Sequence, residues 1–130
     1  MKKVDPRIVT RTLFSINDWL STEDRWCRGM YAQRYGDPIE PCIYDANQMS
    51  LEGVLLACFG FRTMWHLQQV NDPDANKVLE FLNQASQELV GMDVHKANDD
   101  PDVTFEMIKS IISEAYQFAQ EWERQQKEIL

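Results

Sequence analysis

Residues 50–67, SLEGVLLACFGFRTMWHL, carry more apolar side chains with fewer charges than any other part of this 130-residue chain. Leu51, Val54, Leu55, Cys58 and Phe59 recur at three- and four-residue spacing, and Leu56 and Ala57 fill the remaining sides. A helix apolar almost all round belongs in the middle of a core, with other elements laid against it. Ser50 is placed to accept from the N–H groups of the first turn, and Glu52 puts a negative charge where the helix dipole favours one. Gly60 ends or bends the helix. At about ten residues it is too short to span a bilayer, and Arg62 interrupts any extension.

Working outward, Asp5-Pro6 reads as a cap followed by a proline in the first turn, where its missing N–H costs nothing. Val9, Leu13, Ile16 and Leu20 then follow at helical spacing, with Ile8 and Trp19 at the edges of the stripe. Residues 25–49 are punctuated by Gly29, Gly36, Pro38 and Pro41 too densely for a long helix. They predict two short extended pieces, 26–32 and 39–44, joined by a turn at Tyr35-Gly36-Asp37-Pro38. Trp26, Met30, Tyr31, Ile39, Ile43 and Tyr44 would form the packing face of that hairpin. Beyond Gly60 the helix is expected to continue to Val70, using Phe61, Met64 and Trp65 as contacts. Asn71-Asp72-Pro73 stops it and opens the next helix, in which Val78, Leu79, Leu82, Ala85 and Leu89 form the stripe and Gly91 the stop. Residues 92–103 read as a polar loop. Asp102 or Thr104 caps the last helix, whose long apolar face is Phe105, Ile108, Ile111 or Ile112, Ala115, Phe118 or Ala119, and Trp122. The fold class is therefore mostly α: one domain, 1–130, built as a compact bundle of four or five helices with at most a small β-hairpin near residues 26–44.

A chain of this length buries roughly two-thirds of its unfolded surface without help from disulfides or metals. Cys27, Cys42 and Cys58 are odd in number and fit neither a disulfide framework nor a zinc pair, so reduced thiols are expected. The first fifteen residues lack the apolar run of a signal peptide, which makes the expected location cytoplasmic and adds no membrane segment. The net charge of −8 is uneven: residues 1–34 hold seven basic against four acidic side chains, and the remainder six against seventeen. An acidic body argues against nucleic acid as a partner and suits a basic protein surface instead.

Chemistry is sparse. The order Cys27, Cys42, Cys58, His66, His95 contains no CxxC, HxxxH, HExxH or Glu-x-x-His spacing, and the scattered glycines form no phosphate loop. No metal and no cofactor are expected. Cys27 or Cys42 beside His66 or His95 would make a nucleophile and base only if folding brought them together. The cluster Asn98-Asp99-Asp100-Pro101-Asp102 is the most distinctive polar feature. Its bland reading is turn hydrogen bonds and dipole complementation at a helix start. Its sharper reading makes Asp99, Asp100, Asp102 and Glu106 a patch for a basic partner.

A Trp, a glycine turn, a Ser-x-x-Gly-x-x-x-x-Cys helix and a late Asn-Asp before the terminal helix resemble a group of small uncharacterised proteins from bacteria and their phages. The residues concerned are Trp26, Gly36, Ser50, Gly53, Cys58, Asn98 and Asp99, and Ala97 stands where that group places a Trp. The resemblance implies a stand-alone small domain of phage or bacterial source and, because that group has no assigned function, carries over no activity.

The expected function is that of a small cytosolic, non-catalytic protein that binds another macromolecule. The alternative is a small enzyme using Cys27 with His66 or His95. Pairing of the last helices through Phe118 and Trp122 would make a homodimer; the competing reading is that the same face closes the monomer core.

Overall fold

A computed structural model describes residues 3–129; Met1, Lys2 and Leu130, the outermost residues of the expected 1–130 domain, lie outside them. The chain runs α1 (Pro6–Trp19), a short 3-10 turn (Glu23–Arg25), β1 (Ala32–Arg34), β2 (Asp37–Pro38), β3 (Gln48–Met49), α2 (Leu51–Phe59), α3 (Met64–Val70), α4 (Pro73–Val90), α5 (Val94–Asp99) and α6 (Phe105–Ile129). It is a mostly helical fold with one small antiparallel sheet.

Helix α2 occupies the centre. Leu51, Glu52, Gly53, Val54, Leu55 and Leu56 are all buried, consistent with a helix that has no polar side to turn outward. Ser50 Oγ accepts from the Gly53 N–H at 3.0 Å, and Gly60 closes the helix in the left-handed conformation at φ +74°. Around it, α1 lies against α6 and α4, and α4 runs along α6. Asp5 caps α1 through the Arg7 N–H at 3.0 Å, and Asp72 caps α4 through the Asp74 and Ala75 N–H groups at 2.9 and 3.0 Å. The apolar stripe of α6 (Ile108, Ile111, Ile112, Ala115, Ala119) joins that of α1 (Val9, Leu13, Ile16) in one continuous core. Phe118 packs against this core, and Trp122 meets Phe81 of α4 edge-on at 5.6 Å, so the face considered for pairing closes the core of this chain.

Three expectations are corrected. The sheet is three-stranded in the order β2-β1-β3, with Gln33 opposite Pro38 and Ala32 opposite Met49. The first strand begins at Ala32, where the expected piece 26–32 ended, and 39–44 forms no strand. Pro38 and Pro41 lack the N–H groups that a ladder needs, so Pro38 sits at an edge and the chain beyond it turns away. Tyr44 is 95% exposed and Ile43 is also exposed, so neither belongs to the packing face. The hairpin turn is Tyr35-Gly36, both with positive φ (+50° and +92°), the mirror-image turn that matches strand twist. Second, the helix does not run through Gly60. Thr63 starts a separate α3, its Oγ1 accepting from the His66 N–H at 3.0 Å. Third, the loop 92–103 contains α5, capped by Asp93 through the Lys96 N–H at 2.9 Å and tied to α4 where the Val94 N–H donates to Asn83 Oδ1 at 2.9 Å. This short helix brings the described total to six. The last helix takes Thr104 as its cap, through the Met107 N–H at 3.2 Å. No helix among the described residues is long and apolar enough to cross a membrane.

Candidate functional site

The backbone after the first helix enters the core through Trp26, and the element that receives it is α5. Trp26 Nε1 donates to Asn98 Oδ1 at 2.7 Å, and the same oxygen accepts from the Leu51 N–H at 3.0 Å, taking one of the unpaired donors at the start of α2. The Asn98 Nδ2 group donates to the Cys27 carbonyl and to Asp99 Oδ1, both at 3.1 Å. Asn98 is 2% exposed, and its amide uses both acceptor positions and both hydrogens. Asp99 Oδ1 also accepts from the Gly29 N–H at 2.9 Å. The Trp26 ring is covered by the Arg28 guanidinium at 4.4 Å and flanked by Phe105 at 5.9 Å.

Beside this junction is a partly enclosed cavity of about 160 Å³, lined by Gly29, Met30, Tyr31, Ser50, Glu52, His95, Asn98 and Asp99. Gly53 is what lets its walls close. A Cβ there would sit 1.9 Å from the Tyr31 carbonyl oxygen, which also accepts from the Ser50 N–H at 2.9 Å. Glu52, 6% exposed, is the only charged side chain of α2. Its Oε1 lies 2.5 Å from His95 Nδ1, while its Oε2 has no hydrogen-bond partner among the described residues. The His95 side chain is 66% exposed. The hydrogen bond and charge of Glu52 raise the His95 pKa above 6.5, with smaller contributions from Asp99 and Asp93. A second, more open hollow continues outward from His95 and Asp99 past Met92, Lys96 and Asp100.

The four acidic candidates thus have different surroundings. Asp99 lines the cavity, and Asp100 lines the outer hollow while its Oδ1 accepts from the Asp102 N–H at 2.8 Å. Asp102 and Glu106 are exposed at and just before the start of α6. Asn98, read from the sequence as a turn residue, makes its bonds across the fold instead. The cysteine and histidine candidates are not joined. The Cys27 thiol donates to the Met30 carbonyl at 3.8 Å, and burial together with the Asp99 charge pushes its pKa up to about 11. His66 Nδ1 accepts from the Arg62 N–H at 3.3 Å, and its ring meets Phe61. Cys58 is likewise raised to about 11 by burial, and Cys42 is half-buried. No three His, Cys, Asp or Glu among the described residues gather as a metal would require.

Sequence reasoning missed the pairing of Glu52 with His95. The available signal was one acid in an otherwise wholly apolar helix. Of the residues that carry the resemblance noted above, Trp26, Ser50, Gly53, Asn98 and Asp99 converge here, whereas Gly36 lies in the hairpin turn and Cys58 faces a hollow with Ile8, Arg11 and Ile43. Comparison with family models, with curated proteins and with solved structures returns no match to this chain.

Proposed function

We propose that this protein is a small, non-catalytic binding module for a basic protein surface, engaged through the acid-rimmed recess between α2, α5 and residues 29–31. The observation that carries this reading is the shared cavity: Glu52, 6% exposed and the one charged side chain of α2, lines it together with Asp99 of α5. Two carboxylates on one cavity favour a partner that brings charged hydrogen-bond donors. Asp99 and Asp100 extend the same sign of charge outward, and Asp102 and Glu106 continue it to α6. Such a field speeds association with a basic surface and makes it salt-sensitive. The test is an affinity capture from cell lysate at low and high salt, run with the wild type and with a variant carrying Asp100→Asn, Asp102→Asn and Glu106→Gln. Salt-sensitive capture that the variant loses is expected. Nothing retained at low salt, or capture indifferent to the three substitutions, would overturn the reading.

One observation favours a second reading, a small enzyme. An imidazole oriented by a buried carboxylate, with its other nitrogen unbonded among the described residues, has the arrangement of a general base. In that reading His95 rather than His66 is the base, and the Cys27 thiol, bonded to a backbone carbonyl and held protonated, is not an activated nucleophile.

A further inference from the structure

We infer that the cavity receives the guanidinium group of one arginine side chain, presented by the basic partner, with Glu52 Oε2 and Asp99 as its acceptors. This rests on the proposed binding function and goes on to name the group that enters. The cavity, at about 160 Å³, is the size of hole that in another protein accommodates a benzene ring. A guanidinium with its adjacent methylenes is of that order.

The polarity of the lining selects the chemistry. Glu52 Oε2 and the second carboxylate oxygen of Asp99 have no hydrogen-bond partner among the described residues, because the bonds of both groups fall on Oε1 and Oδ1. On the donor side, the Asn98 amide hydrogens and the Gly29 N–H are already engaged; the ring nitrogen of His95 not facing Glu52 and the Tyr31 hydroxyl, which accepts from the Met64 N–H, are the donors left among the ionisable lining side chains. A lining rich in acceptors suits a ligand that only donates. Arginine offers five N–H groups and no acceptor. A metal ion suits it less, because the ligating side chains do not gather in threes among the described residues.

Two features favour arginine over lysine. The carboxylates come from different elements, α2 and α5, and a planar fork can address two acceptors at once where an ammonium acts as a point charge. The wall also includes Met30 and the Tyr31 segment, and a guanidinium sheds its water more readily than an ammonium on entering a half-enclosed, partly apolar space. His95, exposed and in contact with Glu52, stands at the mouth and reports directly on the cavity's occupancy.

The experiment titrates the whole protein with N-acetyl-arginine-N-methylamide, and in parallel with the lysine counterpart, following the His95 ring and the Trp26 indole N–H by NMR. Saturable movement of the His95 resonances by the arginine compound is expected, with the lysine compound weaker by about tenfold. Glu52→Gln should abolish the movement while the indole signal, hydrogen-bonded to Asn98, stays in place to show that the fold is kept. Should Glu52→Gln fail to fold, Asp99→Asn takes its place. It keeps an oxygen for the Gly29 N–H, removes one carboxylate and should weaken the arginine compound several-fold. The inference falls if the arginine compound leaves His95 unmoved, if the variants respond like the wild type, or if lysine binds as tightly. Should it fall while the Asp100, Asp102 and Glu106 substitutions still abolish salt-sensitive capture, the basic-partner reading survives without it.

Discussion

The indole N–H of Trp26 is hydrogen-bonded to the side-chain oxygen of Asn98 at 2.7 Å, across 72 positions of sequence and between two buried side chains. One amide thereby holds together the segment that leaves the first helix, the start of the central helix and the short helix that lines the cavity.

Replacing that amide should be costly. Asn98→Ala leaves both the Trp26 and the Leu51 N–H groups buried without an acceptor, each worth about 1–3 kcal/mol. A total loss of about 3 kcal/mol or more is expected in urea unfolding. Asn98→Asp should do no better, because it turns an oxygen toward the Cys27 carbonyl and Asp99 where hydrogens now point. A loss below about 1 kcal/mol for the alanine variant would mean that water or a shifted neighbour replaces the amide.

Much of the helical framework was legible because its signals are local. Asp5-Pro6, Ser50 and Asp72-Pro73 are starts, Asp102 or Thr104 opens the last helix, Gly91 is a stop, and the stripes between them have room to repeat. Helix α5 had no such room. Its six residues bury only Val94, Ala97 and Asn98, too few to display a period, and it forms because α2 and α4 lie against it. The ribbon was misplaced because its strands are two or three residues long and paired by tertiary contacts, including Gln33 with Gln48. The site was illegible for a related reason: Glu52 meets His95 across 43 positions, a distance that no motif spans.

Gly53→Ala sets two effects against each other. Helix propensity alone favours alanine by about 1 kcal/mol. The added methyl would stand 1.9 Å from a backbone oxygen that anchors Ser50, and overpacking of this kind costs about 1–3 kcal/mol or more. Net destabilisation is expected in thermal or urea unfolding, accompanied by movement of the Tyr31 and Ser50 amide resonances. An unchanged or raised stability would show that the 29–31 segment can withdraw freely.

With thiol pKa values of about 11, Cys27 and Cys58 should carry thiolate in only about one molecule in ten thousand at pH 7. Both are expected to react with iodoacetamide far more slowly than a free thiol, and to accelerate on unfolding. Rapid alkylation of Cys27 alone in the folded protein would favour the enzyme reading and count against the raised value.

The Glu52–His95 pair makes a prediction about pH. The His95 pKa is raised on folding, so its contribution is fully present below the unfolded value of 6.5 and is lost as pH rises through the higher folded value. The wild type should therefore exceed His95→Gln in stability most at mildly acidic pH, with the margin narrowing toward pH 8. Because the imidazole is mostly exposed, solvent screening keeps that margin small. A margin that grows with pH would place the neutral imidazole, not the imidazolium, against Glu52.

Helix α5 is also shorter than the length at which an isolated helix persists in water. The cavity wall that it supplies therefore exists only once the chain from Trp26 to Asp99 has closed on itself, and a nascent or unravelled chain offers a ligand nothing to hold. Occupancy and folding are then linked by mass action: a ligand at a hundred times its dissociation constant would add about 2.7 kcal/mol to the folded state. A rise in melting temperature that grows with ligand concentration would thus reveal an occupant of this recess before anything is known of its biology.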